Sequence, residues 1–138
     1  MEISASFING KISLNDSKIH LEKLGDVYLD YFNIVNKKNK ILVETKNTFR
    51  VSNLKQFNRI IQLPKNKKKN IETIYFEIDK VLSTENFFIK KLIINKDVDR
   101  SKFEKIDISK NIQSKNIENV NNWFDLKFLV RELLTEIN

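Results

Sequence analysis

His20 is the single histidine in the sequence, and the only side chain whose ordinary pKa suits proton transfer near neutral pH. It sits between Ile19 and Leu21, so in a strand it points away from both. A metal centre would need partner ligands at suitable spacing. There is no second histidine and no cysteine, and no ligand set stands out around position 20. His20 therefore reads as a surface or hydrogen-bonded imidazole. A serine nucleophile of the elbow type needs flanking glycines, and the only glycines are Gly10 and Gly25. Glu77 and Asp79 are two residues apart and share one side of a strand. Paired carboxylates can do acid–base work, but this spacing is also that of the wet side of a half-exposed strand. The basic stretch Lys65 to Lys69 could touch phosphate, and reads first as a solvated loop. No catalytic residue, metal site or cofactor site is expected, and the chain does not read as an enzyme.

Composition narrows the rest. The 138 residues suffice for one domain. Hydrophobic residues at 41% and charged residues at 31% describe a folded chain rather than a disordered one. The absence of cysteine removes disulfide scaffolds and thiol chemistry. A net charge of +7 suggests partners that carry phosphate. However, 19 Ile, 18 Asn and 21 Lys are the trio that AT-rich codons produce. Only Arg50, Arg59, Arg100 and Arg131 offer the bidentate guanidinium that phosphate recognition favours. Codon bias is therefore the first explanation of the charge, and nucleic-acid binding the second.

The first ten residues lack the basic start and apolar run of a secretory leader. Elsewhere apolar runs stop after three or four residues, against the roughly 20 needed to span a bilayer. Taken as complete, the chain would be cytoplasmic. Its opening in strand-like sequence suggests instead a piece of a longer protein.

The elements that would position any site are mainly strands. Ile3, Ala5 and Phe7 alternate with polar residues, and Asn9-Gly10 marks a hairpin turn. Ile19 and Leu21 alternate next, then Leu24-Gly25-Asp26 bends the chain. Val27, Leu29 and Tyr31 fall on one side, with Tyr28 and Phe32 on the other. After the polar turn at Asn36 to Asn39, Ile41, Val43, Phe49 and Val51 continue the alternation. Residues 53–63 switch to helical spacing through Leu54, Phe57, Ile60 and Ile61, with Ser52 or Asn53 as cap and Pro64 as stop. Ile74, Phe76 and Ile78 resume a strand. In the next strand Phe87, Ile89 and Ile93 oppose Phe88, Leu92 and Ile94, which predicts cover or a ligand on both sides. Residues 101–119 read as a polar linker. Residues 120–138 read as an amphipathic helix, with Trp123, Leu126, Val130, Leu133, Leu134 and Ile137 in one stripe. Phe124 and Phe128 lie off that stripe and are candidates to face a partner.

The expected fold is mainly β, α+β by count: an extended, curved antiparallel sheet over residues 1–100, one short helix near its middle and one C-terminal helix. The candidate apolar groove or core face is Ile19, Leu21, Val27, Leu29, Ile41, Val43, Phe49, Val51, Ile74, Phe76, Ile78, Phe87 and Ile89. With so few helices, such a face needs a hydrophobic occupant or a second protein surface.

Phe7-Ile8-Asn9-Gly10-Lys11-Ile12-Ser13-Leu14-Asn15-Asp16-Ser17-Lys18-Ile19, continued by Leu24-Gly25-Asp26-Val27, resembles the strand units of AsmA-like proteins, the envelope family that includes TamB. Residues 47–94 resemble the C-terminal region of such chains. The resemblance implies a long antiparallel sheet whose apolar groove takes phospholipid acyl chains, with neighbouring strand units of a longer protein as the other partner. It implies a role in phospholipid transport or outer-membrane assembly, and a periplasmic place beside the inner membrane. The alternative is a small basic binding module for nucleic acid or protein, using the sheet aromatics with interleaved lysines.

Overall fold

The computed structural model describes residues 2, 4–8, 11–14, 17–85, 87–99, 102–114 and 123–136. The turn at Asn9-Gly10 and the residues 115–122 fall outside them, as do Ile3 and Ile137. A small hairpin of β1 (Ser6–Ile8) and β2 (Lys11–Ser13) comes first. Then β3 (Ser17–Leu21), β4 (Gly25–Lys37), β5 (Lys40–Val51), β6 (Thr73–Val81), β7 (Phe87–Ile94) and β8 (Ile106–Asp107) form one open sheet. Its spatial order is the chain order, and every neighbouring pair is antiparallel. The chain is mainly β, as its alternation predicts.

Among the described residues three α-helices accompany the sheet. α1 (Leu54–Ile61) leaves from the end of β5, α2 (Ser109–Ser114) follows β8, and α3 (Trp123–Glu136) closes the chain. Asn53 caps α1, its Oδ1 accepting from the Gln56 amide at 3.0 Å. Termination comes earlier than Pro64 requires. Gln62 adopts the left-handed conformation and its N–H bonds the Asn58 carbonyl, so Pro64 opens a 3-10 turn at Lys65–Lys67 instead. The β4–β5 hairpin turns through Lys38 and Asn39, both at positive φ, as the tight two-residue loop demands.

The 101–119 stretch is more than a polar linker. β8 pairs with the end of β7, and Ile108 and Ile112 are buried in the core. Three isoleucines at 106, 108 and 112 supply the apolar surface that docks this segment.

Two bulges set the faces. β4 carries an extra residue at Asp30, between the pairs Leu29↔Asn47 and Tyr31↔Lys46. β7 carries one at Lys90, between Ile78↔Ile89 and Glu77↔Lys91. Each bulge inverts the alternation beyond it. Tyr31 therefore joins Tyr28, while Phe32 joins Val27 and Leu29, opposite to the uninterrupted reading. In β7, Phe87 and Ile89 share a face with Leu92 and Ile94, while Phe88 and Ile93 face the other way. A strand that reads as apolar on both sides is thus largely one-sided.

The apolar face is assembled in cross-strand rows. One is Ile19, Val27, Phe49, Ile74 and Ile94; the next is Leu29, Asn47, Phe76 and Leu92. Over these rows lie Phe57 and Ile61 of α1, Ile112 of α2, and Leu129, Leu133 and Leu134 of α3. Phe49 and Phe57 pack ring against ring at 6.1 Å, joining β5 to α1.

Two details lock the edges. Asn95, 1% exposed and at positive φ, ends β7. Its Oδ1 accepts from the amides of Glu72 and Thr73, and its Nδ2 donates to the carbonyls of Asn70 and Glu104. Gly25 starts β4 at φ +144°, and a Cβ there would lie 1.9 Å from the Arg50 carbonyl oxygen. Gly25→Ala is expected to cost more than about 3 kcal/mol of stability, read as a lowered urea midpoint. Deleting Asp30 would let Tyr31↔Lys46 follow Leu29↔Asn47 directly and keep Phe32 and Ile34 on the apolar face, so cooperative unfolding is expected to persist, as it is for Asp30→Ala.

Candidate functional site

The thirteen candidate groove residues fall on one face by register, the face that the helices cover. Their environments differ. Ile74 and Ile89 are buried, whereas Ile19 at 44% and Ile41 at 49% stay open to water. Leu21, Val27, Leu29, Val43, Phe49, Val51, Phe76, Ile78 and Phe87 are intermediate. The helices therefore cover the β6–β7 side, and their cover thins toward β3 and toward the β4–β5 tip.

Between sheet and helices lies a cavity of about 200 Å³. Its floor is the sheet, with Leu21, Val27, Phe49, Phe76, Ile78 and Ile89. Its walls are Phe57, Ile60 and Ile61 of α1 and Val130 of α3. Among the described residues, Lys127 is the one charged residue in the lining. Seven of the thirteen residues line the cavity, counting Ile74 with the six of the floor. The next row out, Ile34, Val43 and Phe87 with Lys80, extends the apolar floor, and Ile34 is 44% exposed.

The helix walls carried a signal in the sequence, since Phe57, Ile60 and Val130 follow helical stripes, but that signal marks a buried face and not a cavity. Lys127 escapes notice because it lies one position off the α3 stripe. Of the two partner-facing candidates, Phe128 projects into solvent at 59% exposure. The side chain of Phe124 lies outside the described residues.

The opposite face is polar and already paired. Arg50 and Lys18 stand over the Tyr28 ring, Lys46 over Tyr31, and Lys96 over Tyr75 at 3.8 Å. Lys37 pairs with Glu44 at 2.8 Å, and Lys90 with Asp79 at 2.9 Å. The Tyr75 hydroxyl donates to Glu77, and burial with that carboxylate pushes its pKa well up. Glu77 and Asp79 are thus spent on separate partners and do not form an acid–base pair. A hollow of about 420 Å³ on this face is lined by Tyr28, Asp30, Arg50, Tyr75, Lys96 and Asp97, with both signs of charge interleaved.

His20 also belongs to the polar face. Its Nδ1 shares a 2.7 Å hydrogen bond with Asp26 Oδ1, and Lys18 lies 4.0 Å from the other oxygen. The His20 hydrogen bond, with Lys18 nearby, holds the Asp26 carboxyl below its usual range. No cluster of three or more His, Cys, Asp or Glu able to hold a metal occurs among the described residues. None of their helices is long and apolar enough to cross a membrane.

The lowered Asp26 pKa fixes a sign. Its contribution to stability is present above the unfolded carboxylate pKa and is lost as pH falls through the lower folded value. Asp26→Asn is therefore expected to flatten the fall of the urea midpoint below about pH 4, and an unchanged acid slope would show that the pair does not contribute. Compared with family models, curated proteins and solved structures, the chain matches none.

Proposed function

We propose that this chain is a non-catalytic lipid-chain carrier, a β-groove module that shelters hydrocarbon between its sheet and two helices. The observation that carries the reading is the cavity of about 200 Å³ walled by apolar side chains of α1, α3 and the sheet. An engineered apolar cavity of ~150 Å³ stays dry and admits benzene, so this volume accepts a segment of one acyl chain. The open row at Ile34, Val43 and Phe87 offers such a chain further apolar floor. Binding of this kind is driven by area removed from water and needs no acid, base or metal. The resemblance of residues 7–27 to AsmA-like strand units supplies the setting: phospholipid transport or outer-membrane assembly in a Gram-negative envelope, with phospholipid acyl chains as cargo and adjoining strand units as neighbours.

A second reading, a basic module for nucleic acid, draws on the tyrosines and cations that share the polar face. It ranks below the first because acids interleave with the cations and each of the three rings already carries one.

The neutral dye Nile red is a direct probe. Its fluorescence is expected to rise on binding and to change little between low and moderate salt, whereas binding of a single-stranded oligonucleotide would weaken steeply. Val130→Phe fills the cavity from the α3 side and is expected to weaken dye binding about tenfold, equivalent to ~1.4 kcal/mol. A variant that stays folded by circular dichroism and still binds the dye fully would sink the proposal.

A further inference from the structure

Lys127 is out of keeping with its surroundings. It lines a cavity whose other lining residues, among those described, are all apolar, and it is only partly exposed. A lysine beside a core can lay its methylenes on apolar surface and hold its ammonium at the rim. Packing alone would be met by an uncharged residue of the same length. One turn away along α3 the neighbours are Trp123, Phe124, Val130 and Arg131. None is a carboxylate. Lys127 has no hydrogen-bond or ion-pair partner among the described residues. A cation with no partner among the described residues thus stands at the boundary of an apolar hollow.

We infer that the cavity selects a single-chain amphiphile ending in a carboxylate, a fatty acid, with the Lys127 ammonium meeting the head and the apolar walls holding the chain. The inference rests on the carrier reading above and narrows its cargo. The volume of about 200 Å³ has room for one chain segment and not for two side by side. One ammonium balances one carboxylate, and the half-sheltered position strengthens that attraction relative to open water. A cationic head would be repelled by Lys127, and a neutral head would gain only the contacts of its chain.

The test displaces Nile red with three ten-carbon probes: decanoate, decanol and decyltrimethylammonium. Wild-type protein should bind decanoate about fivefold more tightly than the chain length alone provides, with decanol between decanoate and the ammonium. Lys127→Met should erase the preference for decanoate over decanol while decanol binding holds. Lys127→Arg should keep the preference, and Lys127→Glu should reverse the order toward decyltrimethylammonium. Raising the salt should shrink the decanoate advantage and leave decanol untouched. Equal binding of decanoate and decanol by the wild type, or a preference that survives Lys127→Met, overturns the head-group assignment and leaves the carrier reading standing. If no ten-carbon probe displaces the dye, both fall together. Circular dichroism of each variant keeps loss of folding apart from loss of selectivity.

Discussion

The one-sided sheet depends on two bulges. Were Asp30 and Lys90 taken into the ladder and not bulged out of it, strict alternation would carry Phe32 and Ile34 in β4, and Phe87 and Ile89 in β7, to the polar side. Each bulge residue is itself tied to that polar side. The Thr48 hydroxyl donates to Asp30, and the Lys90 ammonium meets Asp79 at 2.9 Å. The polar contacts therefore do more than decorate the wet face. They hold the phase of two strands, and that phase decides which side chains α1 and α3 can cover.

The Asn95 clasp performs a related task at the other end of β7. A single buried amide answers two backbone donors and two backbone acceptors, so two separate chain segments, residues 70–73 and that around Glu104, converge on the end of β7 without leaving it unsatisfied. This convergence places the return from α1 into β6 and the loop before β8 beside one another. The clasp sits next to Ile94, which is 0% exposed.

Much of the fold was legible in the residues. Alternation marks β3, β5 and β6, Asn53 marks the start of α1, and the Lys38-Asn39 turn falls inside the polar tetrapeptide read as a turn. The bulges were not legible, because each side of Asp30 or Lys90 alternates correctly by itself and only the partner strand reveals the slip. The docking of β8 and α2 was hidden for another reason. Ile106, Ile108 and Ile112 are too few and too short a run to set a period, and their burial comes from tertiary contact with β7. For the candidate site, the floor was legible and the vault was not. Leu21, Val27, Phe49 and Ile78 announce an apolar face, but a space between that face and the helices depends on how far α1 and α3 stand off it, which no spacing encodes.

That stand-off has a mechanical consequence. Empty volume inside a folded chain disappears when the chain unfolds, so the hollow beneath α1 and α3 makes the native state the bulkier one. Hydrostatic compression therefore pushes against this architecture at the point where it is least solid. An occupant that fills the space would relieve that weakness, so that loading would stiffen the molecule against squeezing as well as against heat.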